Sequence, residues 1–169
     1  MPVDENAERL RALLQSSLKD FLWALDQIPP ERQSTPSPRH LERWTATRTL
    51  FHLLWYERMI TTPTIRQWLG EPPPPFHSQE EDAACEESDW ADNDADHFIP
   101  TLTAELRQRR AYQLYLLSQL APTAWDEARD ALWGHVTLRW ALTKTYQHTI
   151  AHTNELLRLA LWWEAPQQR

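Results

Sequence analysis

The sequence predicts an all-α fold, and three features carry that expectation. Its 169 residues include 24 Leu but only seven Val and Ile together. Leu favours helix, whereas β-branched residues favour strands. The two Gly leave little material for tight hairpin turns. Apolar residues also recur at helical spacing rather than in alternation. The length suits a single domain over residues 1–169 with a sizeable core. The expected architecture is a four-helix bundle, up-down-down-up, with a long crossover between helices two and three.

The first helix spans roughly Asp4 to Ile28, with Ala7, Leu10, Leu14, Phe21, Leu25 and Ile28 forming one apolar stripe before Pro29-Pro30 stops it. A Pro- and Ser-containing connection leads to Trp44, and Thr45 is the expected N-cap of the second helix. That helix reads ATRTLFHLLWYERMI up to Pro63, which starts a short helical piece closed by Gly70. The third helix is expected near Thr101 to Leu120, carrying Leu102, Leu106, Tyr112, Leu116 and Leu120. Thr123 with Asp126 resembles a cap for a short helical turn broken at Gly134. The fourth helix runs from about Thr137 to Trp163.

Residues 71–99 form the crossover. Pro72 to Pro75 impose an extended segment, and an acidic tract follows that reads as a solvated lid or disordered loop. A helix of ~20 residues is about 30 Å long, a distance this linker spans easily, so helices two and three can run parallel.

The net charge of −7 is unevenly placed. Glu80 to Asp96 holds nine acids and no Lys or Arg, leaving 17 basic against 15 acidic residues elsewhere. No basic stripe exists to neutralise phosphates, which argues against nucleic acid. The single Cys, Cys85, precludes an internal disulfide and lies among acids that disfavour a thiolate nucleophile. No apolar run reaches membrane-spanning length, and the polar start MPVDENAERL resembles no signal or transit peptide. A cytoplasmic location is expected. Two glycines also exclude a phosphate-cradling loop or a dinucleotide fingerprint, and no nucleophile elbow is present.

Three histidines carry the functional expectation. His148 and His152 lie one helical turn apart on one face, and His52 sits about two turns inside the second helix. Three neutral imidazoles can grip a divalent ion and leave coordination positions open. The alternative from spacing alone is histidines on a helix surface or satisfied in a core. Near these rings, Tyr56 follows His52 by four residues and Glu155 follows His152 by three. Each is placed to accept a ring N–H and orient an imidazole, and Glu155 is also a candidate proton acceptor. Glu57 is expected to pair with a cation on the flank of its helix.

The segments WTATRTLFHLLWYERM and VTLRWALTKTYQHTIAHTNELL, so spaced, resemble the DinB/YfiT-like family of helical proteins. The resemblance implies an up-down-down-up bundle, commonly dimeric, whose metal ligands fall on His52, His148 and His152. It implies a divalent ion such as zinc or nickel, and transferase or isomerase chemistry dependent on a low-molecular-weight thiol such as bacillithiol or mycothiol. Hydrolysis of a small-molecule substrate by metal-bound water is the other reaction expected of such an ion. Relatives often continue after the last His with Gly-Gln-Leu, where this chain has Thr153-Asn154-Glu155-Leu156. The rival expectation is a non-catalytic bundle that dimerises or binds a ligand, with a structural ion or none.

The remaining histidines, His40, His77, His97 and His135, fall in connections. The run Asp92 to Asp96 fails as a calcium loop, since His97 stands where Gly is required and Thr103 where the bidentate Glu belongs. Among the ten Trp, Trp55 and Trp140 are candidates for a pocket mouth, and Trp162-Trp163 for a dimer contact.

Overall fold

The computed structural model describes residues 4–38, 41–75, 78–92 and 98–164. It is predominantly helical, as composition dictates, with one small antiparallel sheet. Helix α1 covers Glu5–Asp26, and the Asp4 carboxylate caps it by accepting from the Asn6 and Ala7 amides at 3.1 and 3.0 Å. All six residues of the expected stripe on α1 and just beyond it are buried.

Helix α2, Ala46–Tyr56, begins where the Thr45 hydroxyl accepts the Arg48 amide at 3.1 Å. It does not stop before Pro63. A π-turn over Glu57–Thr61 leads directly into α3, Thr62–Trp68. Pro63 has no N–H and its ring crowds the preceding turn, so a regular α-helix would break there. The widened turn absorbs the misfit, with the Thr62 amide bonding back to the Glu57 carbonyl. Gly70, at φ +96°, then ends the run.

The crossover differs most from expectation. Gln79–Asp92 forms a helix, α4, rather than an irregular lid. Ser78 and Glu81 make a reciprocal cap, the Ser78 hydroxyl accepting the Glu81 amide at 3.2 Å and the Glu81 carboxylate accepting the Ser78 amide at 2.7 Å. Glu80, Glu81 and Asp82 in the first turn suit the positive end of the helix dipole. The run read as a failed calcium loop lies largely outside the described residues, as do His40, His77 and His97.

Helix α5 is Ile99–Ser118. Its buried face holds Leu102, Leu106, Arg110, Gln113 and Leu117, while Tyr112, expected in that stripe, is exposed. After a 3₁₀ turn at Pro122–Trp125, the chain forms a hairpin of β1, Ala128–Ala131, and β2, Gly134–Thr137. Ala131 pairs with Gly134 across a Leu132-Trp133 tip, and Gly134 takes φ +94°. This hairpin replaces the expected end of a helical turn. Helix α6, Leu138–Glu164, buries Leu138, Leu142, Thr145, Thr149, His152, Leu156 and Leu159, in steps of three and four residues along one seam.

Two apolar clusters flank the molecule's polar middle. One joins Phe21 and Leu25 to Leu50, Leu54, Leu106 and Leu156; the other joins Leu10 and Leu14 to Ile65, Trp68, Leu117 and Leu138. Helices α1, α2, α5 and α6 supply the first, with the second continuing through α3 and the hairpin.

Candidate metal centre

Helices α2 and α6 bring the three imidazoles together. His52 Nε2 and His152 Nε2 each lie 3.1 Å from His148 Nε2, so three ring nitrogens share one small space. Two zinc-bound nitrogens, each about 2.0–2.1 Å from the ion, are separated by about 2.9 Å at a right angle and about 3.4 Å at the tetrahedral angle. The separations to His148 fall in that range, and the histidine set is therefore compatible with a divalent ion.

The far side of each ring decides which way its lone pair points. The His52 Nδ1 lies 2.8 Å from Glu86 Oε2, and His152 Nδ1 lies 2.6 Å from Glu155 Oε2. A carboxylate can only accept, so each Nδ1 donates, and in the neutral ring Nε2 turns its lone pair inward. His148 Nδ1 is buried without a hydrogen-bond partner among the described residues. Burial, followed by the charges of His152, His52 and Lys144, pushes the His148 pKa down to about 2, so this ring is neutral at physiological pH. With its proton on Nδ1, His148 turns a third lone pair inward and suits a cation; with its proton on Nε2, it donates to one of the two neighbouring nitrogens instead.

Glu86 is the residue that sequence reasoning missed. It is the one buried residue of α4, it receives the Arg48 guanidinium as well as His52, and Glu87 takes the other Arg48 nitrogen at 3.1 Å. Burial by itself raises a carboxyl pKa, but the hydrogen bonds and charges of His52 and Arg48 outweigh it and hold Glu86 below its ordinary value. The Ser78-Gln79-Glu80-Glu81 capping box was the available signal for α4, and it places Asp82, Glu86 and Asp89 on one face. With Glu155, Glu86 puts two carboxylates behind the imidazoles, so a dication there does not rest on neutral ligands alone.

Tyr56 has a different place from the one expected. Its ring stacks on His148, with centroids 4.0 Å apart, rather than accepting the His52 N–H, which goes to Glu86. Burial, and secondarily the Glu57 charge, pushes its phenol pKa above the usual tyrosine range. Trp44 covers His52 from another side at 4.7 Å between centroids. Glu57 is not on a flank. It is fully buried and pairs with Arg110 of α5, whose guanidinium also bonds the Leu14 carbonyl and the Thr149 hydroxyl. The signal for its burial is the spacing Leu50, Leu54, Glu57, Thr61, which continues the apolar seam of α2.

Trp55 is buried, and its indole N–H donates to Asp89 at 2.8 Å. Trp140 is exposed beside Trp133, and His135 pairs with Asp130 on the exposed hairpin, remote from the three rings in the contacts it makes. Cys85 is exposed on α4. Leu161 and Trp162 are exposed, whereas Trp163 is half-buried against the core with Arg32 over its ring. Among the described residues, no helix is long and apolar enough to cross a membrane.

No family model matches the chain, and no curated protein does. A crystal structure of an uncharacterized protein from Clostridium difficile 630 is similar across 97% of this chain and 99% of that one, with a TM-score of 0.73 at 11% identity. That similarity shows a shared fold.

Proposed function

We propose that this chain is a metal-dependent enzyme of the DinB/YfiT-like kind, acting as a hydrolase or a thiol-dependent transferase on a small molecule. In this reading α1, α2 with α3, α5 and α6 are the four helices of an up-down-down-up bundle, and α4 rides on the crossover. The observation that carries it is the set of three imidazole nitrogens facing one another, two of them oriented by carboxylates on their far sides. His52, His148 and His152 would hold a divalent ion, zinc or nickel, which supplies Lewis acidity and a lowered pKa for bound water or thiol.

The protein's own groups do the rest. Glu86 fixes the His52 ring, and Arg48 keeps Glu86 ionised and in place. Glu155 fixes His152 and, being only partly buried, is the group placed to take up a proton beside the site. Tyr56 and Trp44 wall the rings with aromatic surface. Leu161 and Trp162, exposed at the end of α6, are the proposed homodimer contact.

Elemental analysis of protein purified without chelator tests the reading. About one equivalent of divalent metal per chain is expected, with His52→Ala losing it while circular dichroism stays unchanged. Metal-free protein that stays so after reconstitution, with the fold intact, overturns the proposal. If His52→Ala instead unfolds along with metal loss, the ion is structural, because metal binding and folding are then coupled. Adding a low-molecular-weight thiol to the cobalt-substituted protein separates the two chemistries, since thiolate ligation produces a sulfur-to-metal charge-transfer band and hydrolysis requires none.

A further inference from the structure

Two cavities adjoin beside His52 and His148. The inner one, about 250 Å³, is bordered by His52, His148, Glu86 and Lys144. The outer one, about 280 Å³, has apolar walls from Met59, Pro63, Pro74 and Pro75. Trp55, Ile60, Asp82 and Leu132 line both, so the two spaces share a common boundary. Together they reach the size of small-molecule sites, roughly 300–1,000 Å³.

The outer cavity is assembled from parts brought from far apart in sequence. The Pro-rich strap and α4 close one side, the hairpin tip another, and the π-turn with α3 forms the floor. Its surface is mostly hydrocarbon, which offers an apolar body far more than a sugar or a free amino acid. The inner cavity is also mostly apolar in surface, but it adds imidazoles, a carboxylate and an ammonium to its walls. A ligand spanning both would therefore be mostly hydrocarbon, with one polar group where His52 and His148 stand.

We infer that the substrate is a small molecule with an unbranched or flat apolar body, seated between Trp55, Met59 and Leu132, and one metal-ligating polar head delivered to the three histidines. This deepens the proposed function and rests on it for the role of the head; the apolar seat stands independently of the ion. The hairpin tip and the Pro-rich strap, which supply no atom to the three rings, then set the length and polarity of what enters.

Hydroxamates of graded chain length, titrated calorimetrically into zinc-loaded protein, provide the test. Each methylene buried is worth roughly fourfold in affinity, so octanohydroxamate should bind about thirtyfold tighter than acetohydroxamate even if its tail is only partly covered. Met59→Glu and Leu132→Asp alter half-open positions at the edge of the slot. Both should abolish that gain, and Met59→Glu, at a residue that lines the outer cavity alone, should leave acetohydroxamate binding unchanged. Equal affinities of the two hydroxamates, or a gain that survives both substitutions, overturns the inference and leaves the metal reading standing.

A metal-free arm keeps the two claims separable. Octan-1-ol should shift the Trp55 indole N–H resonance, identified by its loss in Trp55→Phe, in protein stripped of metal. Failure of zinc loading with that shift present sinks the proposed function alone, and an unmoved resonance counts against the apolar seat.

Discussion

The molecule holds two buried polar clusters on the same helices, and they are built on opposite principles. In one, Glu57 and Arg110 pair charge against charge, both essentially without solvent exposure, with Gln113, Thr62 and Thr149 filling in around them. In the other, three imidazoles turn like nitrogens toward one another, and the carboxylates that balance them stand behind the rings. The first cluster contains its own counter-charge at its centre. The second gathers three ring nitrogens around one point, with no opposite charge among them. A charge pair of the first kind, even with Glu57 Oε2 and Arg110 Nε left without hydrogen-bond partners among the described residues, holds helices together, whereas converging ring nitrogens are compatible with a divalent ion.

The largest predicted effect separates the clusters by stability. Arg110→Ala leaves Glu57 charged and buried, and should cost about 3–5 kcal/mol in urea unfolding. The same measurement on metal-free His52→Ala should show a much smaller loss, since His52 borders a cavity and Glu86 keeps the Arg48 guanidinium as its partner. A loss as large as that of Arg110→Ala would erase the distinction.

The next prediction concerns affinity. Glu86→Gln removes the carboxylate that orients His52 and should weaken zinc binding about 10–100-fold, as loss of such outer carboxylates generally does. Competition with a chelating dye measures it. An unchanged dissociation constant would mean that Glu86 serves Arg48 alone.

Acidification sharpens the contrast further. The His148 pKa in the folded protein, about 2, lies below that of a free imidazole near 6.5. Between those values the unfolded chain binds a proton that the folded chain does not. Stability of the metal-free protein is therefore fully present above about pH 6.5 and falls on acidification by roughly 1.4 kcal/mol per pH unit. Denaturant midpoints across pH 4–7 should show that slope, and His148→Phe should flatten it.

The smallest effect is local. Ser78→Ala removes one half of the α4 cap and should cost about 1 kcal/mol. Hydrogen exchange should quicken in α4 while the Glu57–Arg110 region keeps its protection.

How much of this was legible in the sequence follows from which interactions were local. The α1 stripe, the Thr45 cap and the His-x₃-His spacing on α6 depend on neighbours within a turn or two, and they read directly. Glu57 did not, because a carboxylate in an apolar seam becomes tolerable only when Arg110 arrives from a helix 53 positions away. The continuation through Pro63 was hidden for a similar reason. A π-turn is a compromise reached in three dimensions, and the Gln113 side chain helps hold it by donating to the Glu57 carbonyl at 3.2 Å. The hairpin lacked the Asn-Gly signal, its turn relying on Gly134 alone after Leu132-Trp133. In α4 the local signal existed, but the density of acids from Glu80 to Asp96 points equally well to a solvated loop.

Helix α4 is fastened differently from the helices it crosses. It buries one residue, Glu86, and its anchors include carboxylates on Arg48, His52 and the Trp55 indole, with Trp90 leaning on Phe51. Of these attachments, the Arg48–Glu87 pair has an exposed carboxylate that counter-ions reach, whereas the buried Arg48–Glu86 pair is screened much less. The wall that α4 gives the cavities is thereby held chiefly by charge that water and salt reach poorly, so its grip on α2 outlasts that of the exposed ion pairs elsewhere as electrolyte is added.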